Sequence, residues 1–249
     1  MKRKLRRIKR KLKRSNLLLK IIAIIIVVLI VVFYILGETI IKDKNDYEKL
    51  LNESLTANKN LSINNFNNNY INEIEKNKIT NNKETYLLEK GLEDYIKDYS
   101  NIIDKSIKCI KDERITNILT SSNYQADGPA FTNSINYLNE KNKEIDKIKE
   151  ELNNITSKTY YTKYIKEKTK NPKTIKRYKV LVDKIINKND IDLLNKDMAE
   201  LKNILQISND IFIYLGRNST EWHIENNELI FTNQVVKEEY EKAISKIKR

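Results

Sequence analysis

The longest apolar run of the chain lies near its start. From Leu17 to Leu36 a single charge, Lys20, interrupts twenty residues. As a helix this run spans ~30 Å, the thickness of a bilayer hydrocarbon core. The pattern predicts a transmembrane helix over 17–36. Lys20 sits where it can snorkel, and Tyr34 falls at the opposite interface.

Beyond the run, apolar residues return at helical spacing. Phe66, Tyr70, Ile71 and Ile74 do so inside an Asn-rich stretch of poor helix propensity. Asn81, three residues before Glu84, fits a helix cap. Leu88, Leu92, Tyr95, Tyr99, Ile102, Ser106 and Cys109 then step by alternating fours and threes. Ile96, Ile103, Ile107 and Ile110 widen that stripe, as in a bundle helix. Gly91 interrupts the helix interior and suits a close crossing. The rhythm breaks at 120–131, where Asp127-Gly128-Pro129 signals a turn and Pro129 fits the first position of the next helix. That helix carries Phe131, Ile135, Leu138, Ile145, Ile148, Leu152 and Ile155, with Asn142 at its edge. The two helices predict a long antiparallel hairpin with the 120–130 loop at its tip.

Asn171-Pro172 fits a cap followed by Pro at the first helical position, and Ile175, Tyr178, Leu181, Val182, Ile185 and Ile186 follow. After a connector at 187–190, Leu194, Met198, Leu201, Leu205, Ser208, Phe212 and Leu215 repeat the stripe, and Gly216 fits the helix stop. The period then changes to two. Glu221-Trp222-His223-Ile224-Glu225 and Glu228-Leu229-Ile230-Phe231 flank Asn226-Asn227, a pair that tolerates the positive φ of a tight hairpin. Alternation sends Trp222, Ile224, Leu229 and Phe231 to one face and His223, Glu221, Glu225 and Ile230 to the other. A last helix over 233–248 carries Val236, Tyr240, Ala243, Ile244 and Ile247.

The fold class expected is mainly α. An N-terminal transmembrane helix precedes an elongated antiparallel helical bundle, with one small β-hairpin near the C-terminus. The divisions expected are a basic tail (1–16), the span (17–36) and a helical domain (37–249) containing the hairpin (221–232) and the C-terminal helix.

Charge sharpens the topology. The formal net charge is +13, yet eleven Lys or Arg and no acid fall within residues 1–20. The rest carries 36 cations (47 − 11) against 34 acids, so nucleic acid is not an expected partner. The positive-inside rule places the tail in the cytoplasm and residues 38–249 outside the cell. The exit Tyr34-Ile35-Leu36-Gly37-Glu38 has no small-x-small cleavage site, which predicts an uncleaved signal anchor. No Cys follows the run, which excludes a lipoprotein. The heavy use of Ile, Lys and Asn suits an AT-rich bacterial genome.

Candidate chemistry is sparse. Four isolated glycines make no phosphate loop, and one Cys with one His makes no usual zinc site. No cofactor motif is present. Cys109 continues an apolar stripe and reads as a core thiol. The candidates for a binding surface are Trp222 and His223 in the hairpin, and Tyr160, Tyr161 and Tyr164 beside Lys163. Interleaved aromatics and cations suit a glycan or another polymer. Against this, Trp222 fits a core plug, and Tyr161, Tyr164 and Ile165 continue a helix stripe with the lysines on its back. The expectation is a membrane-anchored, non-enzymatic envelope protein that binds or scaffolds a cell-wall polymer or another envelope protein, with an oligomer left open. The alternatives are an envelope enzyme or enzyme modulator using the 120–130 loop, and an extracellular ligand sensor or immunity-type protein using the hairpin.

Overall fold

The computed structural model describes the backbone of residues 2–67, 69–76, 79–80 and 82–247, and the side chains of these from residue 26 onward except Glu75. The chain is mainly helical, with a two-stranded antiparallel sheet near the C-terminus. The elements in order are α1 (Lys2–Asn60), α2 (Tyr70–Lys76), α3 (Lys83–Ile110), α4 (Glu113–Asn117), α5 (Ser121–Asp127), α6 (Thr132–Thr156), α7 (Lys158–Lys166), α8 (Pro172–Ile185) and α9 (Lys188–Arg217). The hairpin strands β1 (Trp222–Glu225) and β2 (Glu228–Phe231) and the helix α10 (Gln234–Ile247) close the chain.

Three long segments, two of them jointed, form the frame. α3 runs one way. α6 and α7 return, jointed at Ser157, which caps α7 by accepting from Tyr160 N. α8 and α9 run back up, jointed at Asn187, which caps α9 by accepting from Asn189 N and Asp190 N. The pairings fix these directions. Lys105 meets Glu151 and Asp112 meets Lys141, so α3 and α6 are antiparallel. Glu84 meets Asn171, and Gly91 O accepts from Tyr178 Oη, so α3 and α8 are parallel. Gly91 serves that crossing, because a Cβ there would lie 3.1 Å from the Tyr178 ring.

A fourth helix completes each half. At the lower end the distal part of α1 packs on α8 and α3. Arg177 grips Asp43 with both contacts from one guanidinium nitrogen, at 3.0 and 2.8 Å, and Asn58 Nδ2 donates to Ile185 O at 2.9 Å. At the upper end α10 packs on α9. The bundle expected to be antiparallel is therefore mixed: in its lower half α1, α3 and α8 all run the same way. The chain returns between α1 and α3 through the connection 61–82 rather than through a helix hairpin.

Two buried carboxylates hold that connection. Glu89, 3 % exposed, accepts from Ile79 N at 2.5 Å, Thr80 N at 3.2 Å and Thr80 Oγ1 at 2.6 Å. Asp46 accepts from Asn82 N and Thr85 Oγ1. Buried loop amides need such acceptors, since an orphaned N–H costs roughly 1–3 kcal/mol. The expected cap Asn81 lies outside the described residues; Asn82 caps α3, accepting from Glu84 N.

The stripes locate the core. All seven stripe residues of α9 are buried, and α3 widens onto Ile96, Ser100 and Ile103. In α6 the buried row passes through Lys141, one residue before Asn142, which is half-buried. The start of α6 also differs from expectation. Pro129 follows a cis peptide within a turn, and the helix opens at Thr132. Phe131 precedes it with φ 52° and a fully buried ring. Its side chain cannot cap, so Asp127 does, accepting from Asn133 N and Ser134 N. The stretch between α3 and α6 is not an open loop: α4 and α5 fold there, and Tyr124 is buried.

The expected span 17–36 lies partly outside the described side chains. Among the described residues no helix is long and apolar enough to cross a membrane. The described part of the apolar run, Ile26 to Leu36, is exposed along its length, with Phe33 at 70 %.

Candidate functional site

The joint between α6 and α7 opens a polar recess at the waist of the bundle. Where the returning segment bends at Ser157, α3 faces it across a groove of about 280 Å³. Asp98, Asn101 and Lys105 come from α3, Glu151 and Asn154 from α6, and Tyr160 from α7. Ile102 and Ile155 supply the apolar part of the lining. Lys105 and Glu151 bridge the groove at 3.0 Å. Asp98 accepts from Tyr164 Oη at 2.6 Å. Besides that bond, the lining offers amides, one aromatic ring and an ion pair, with two carboxylates, Asp98 and Glu151, against one cation, Lys105. Such a set suits a polyhydroxylated ligand better than an anion.

The structure separates the tyrosines that share this stretch of sequence. Tyr160 is half-buried on the groove, and the Lys163 ammonium packs on its ring at 3.3 Å from the centroid. Lys163 itself is exposed. Tyr161 and Tyr164 belong to the core instead. Tyr161 is fully buried and donates to Asp183 at 2.7 Å. Both rings meet the edge or face of Tyr95, which also stacks on Tyr99. Burial, and then the paired carboxylates, push both phenols above their usual range. Of the four residues singled out at 160–164, Tyr160 and Lys163 are presented to solvent.

The hairpin sits at the upper end. Trp222 pairs with Phe231, His223 with Ile230, Ile224 with Leu229 and Glu225 with Glu228. Asn226 and Asn227 both take positive φ, 51° and 62°, as a two-residue turn of this hand requires. Trp222 is 9 % exposed and donates Nε1–H to Leu215 O at 2.8 Å. Its ring stacks on Phe131, which stacks in turn on Phe212, with Tyr124 edge-on to all three. His223 faces outward with half its side chain exposed, 3.7 Å from the Glu225 carboxylate. Ser121 Oγ donates to Asn227 O and ties the turn to α5. Trp222 is thus a core residue of the hairpin, and His223 belongs to an open polar face.

Three other chemical candidates have structural occupations. Cys109 is buried, and burial pushes its thiol up to about 11. Asp127, the acid of the 120–130 stretch, is engaged by the α6 start. Burial alone would raise its pKa, but hydrogen bonds from Ser134 and Asn133 outweigh it and the net shift is downward. Lys141 stands on the buried row of α6 although it is a lysine. Its ammonium is buried between Asp112 at 2.7 Å and Glu144 at 2.8 Å. Among the described residues no group of three or more His, Cys, Asp or Glu could hold a metal ion.

No protein-family model matches the chain, and no curated protein or solved structure is similar to it. The groove, the outer face of the hairpin and the exposed apolar part of α1 therefore carry the functional reading on their own chemistry.

Proposed function

We propose that the chain is a single-pass envelope protein whose helical bundle stands outside the cell and binds or scaffolds another envelope component. The observation that carries the reading is α1. The described part of its apolar segment, Ile26 to Leu36, is covered by no other part of the described chain, yet the same helix continues without a break to Asn60 and packs on α8 and α3. An uncovered apolar surface of this length needs an environment other than water. The basic residues before it and the single charge within it favour a bilayer, with the N-terminus in the cytoplasm. The waist groove is the binding place best suited to a cell-wall polymer, because its lining mixes amides with an aromatic ring.

Topology is the test. Cys109 is buried, so a cysteine introduced as Glu225→Cys at the exposed end of β1 is the only accessible thiol expected. A membrane-impermeant maleimide should label it in intact cells. Labelling only after the membrane is broken would overturn the proposal.

A further inference from the structure

The segment from Lys163 to Arg177 holds seven cations and one acid, Glu167. Three of the cations are engaged: Lys163 on Tyr160, Lys168 with Asp94 at 2.7 Å, and Arg177 with Asp43. Among the described residues Lys166, Lys170, Lys173 and Lys176 are exposed and have no ion-pair partner. The fold places these four at one end of the bundle, around the turn from α7 into α8. That end is the one where α1 leaves its apolar segment. Asn171 meets Glu84, and Asp46 meets Asn82 and Thr85, so the turn lies level with Asp46 on α1.

The height follows from helix geometry. Asp46 is ten residues beyond Leu36, or ~15 Å along the axis. The headgroup layer occupies about 5–7 Å of that distance. The remaining gap is about one Debye length at physiological salt, and long lysine stems shorten it. A cation placed there feels an anionic surface.

We infer that the four unpaired lysines of the α7–α8 turn form a docking surface for the anionic headgroups of the bilayer that holds α1. The inference rests on the anchor reading and adds an orientation: the bundle leans on the membrane through this turn. The waist groove, the upper half and the hairpin then project away from the surface. Charge complementarity and continuity with the apolar helix select the bilayer over a free polyanion, because the lysines are carried to the headgroups by the same rigid helix.

The test uses the full chain in lipid nanodiscs. A donor dye is placed at Glu167→Cys, an exposed site, and an acceptor dye on the lipid headgroups. Energy transfer should be strong with anionic lipid and weaken as salt is added. It should be lower in zwitterionic discs and in the variant with all four lysines changed to Gln. A single Lys170→Gln change should lower the docked-to-undocked ratio about fivefold. Incorporation with transfer that ignores lipid charge overturns this inference and leaves the anchor standing. Failure to incorporate removes the anchor and the inference together. Soluble polyphosphate binding the turn in zwitterionic discs as tightly as anionic lipid does would reassign the surface to a free polyanion.

Discussion

Replacing Asp112 should harm the fold more than replacing the lysine it pairs with. Lys141 occupies a core position of α6 with 8 % of its side chain exposed, while Asp112 and Glu144 keep 26 % and 49 %. Lys141→Met removes the buried charge and fills the stripe with an apolar side chain of similar length. The two carboxylates left behind can turn to solvent. The expected change is within about 1 kcal/mol of zero, since burying an ammonium offsets most of what its ion pairs contribute. Asp112→Asn keeps the hydrogen bond from Arg114 N that caps α4, but leaves the ammonium buried with Glu144 alone. That should cost roughly 1–3 kcal/mol, the penalty for a charge deprived of its partner. The double variant should return close to Lys141→Met, which gives a coupling on the order of 1–3 kcal/mol between the two sites. Guanidinium unfolding of the detergent-solubilised chain, followed by the emission of Trp222, measures all three. A Lys141→Met loss equal to or above that of Asp112→Asn would refute the reasoning, because the ion pair would then outweigh its desolvation.

Three further outcomes follow from single contacts. Gly128→Ala should destabilise by about 1–3 kcal/mol and shift Trp222 emission, because a Cβ there would fall 2.5 Å from Tyr124 O and 2.9 Å from the indole; denaturation with emission spectra checks both. Glu89→Ala should cost about 2–3 kcal/mol and speed amide exchange at Thr80, since it orphans the Ile79 and Thr80 amides. Asp127 has a folded pKa below its unfolded value, so its contribution is present above about pH 4 and is lost as pH falls through the folded value; Asp127→Ala should cost about 1–2 kcal/mol at neutral pH and flatten the acid side of the stability profile.

Much of the bundle was legible because burial imposes a period. The α9 stripe, the α3 stripe and the hairpin register were readable from spacing alone, down to Trp222 opposite Phe231. The misses have a common cause: they depend on contacts between segments far apart in sequence. Lys141 looks like a surface lysine until Asp112 is folded against it. Tyr161, Tyr164 and Ile165 are readable as a stripe, but that Asp183 and Asp98 take the two hydroxyls is not. The joints at Ser157 and Asn187 are ordinary caps in sequence, and only their relation to α3 shows that one of them opens the groove. Of the groove's lining, Tyr160 is readable as a candidate from its neighbouring cations, whereas Asn101 and Asn154 carry no signal in sequence.

Those joints also link fold to function. A straight helix over 132–166 would keep one face against α3 throughout and leave no recess at the waist. Bending at Ser157 lets α7 fill the tyrosine-rich lower core while α6 serves the upper core with Leu138, Ile145 and Ile148. The groove is what remains between the two demands. Its place along the bundle is fixed by α3, which is unbroken past both halves, and by α1, which ties the lower half to the apolar segment. Asp98 and Lys105 lie roughly 20–30 Å along the α3 axis from the end level with Asp46, at 1.5 Å per residue. If the apolar segment sits in a bilayer, the groove stands well clear of the headgroups, at a height set by the helices α1 and α3. A polymer captured there would be held at a fixed distance from the membrane, which is the physical content of a scaffolding role.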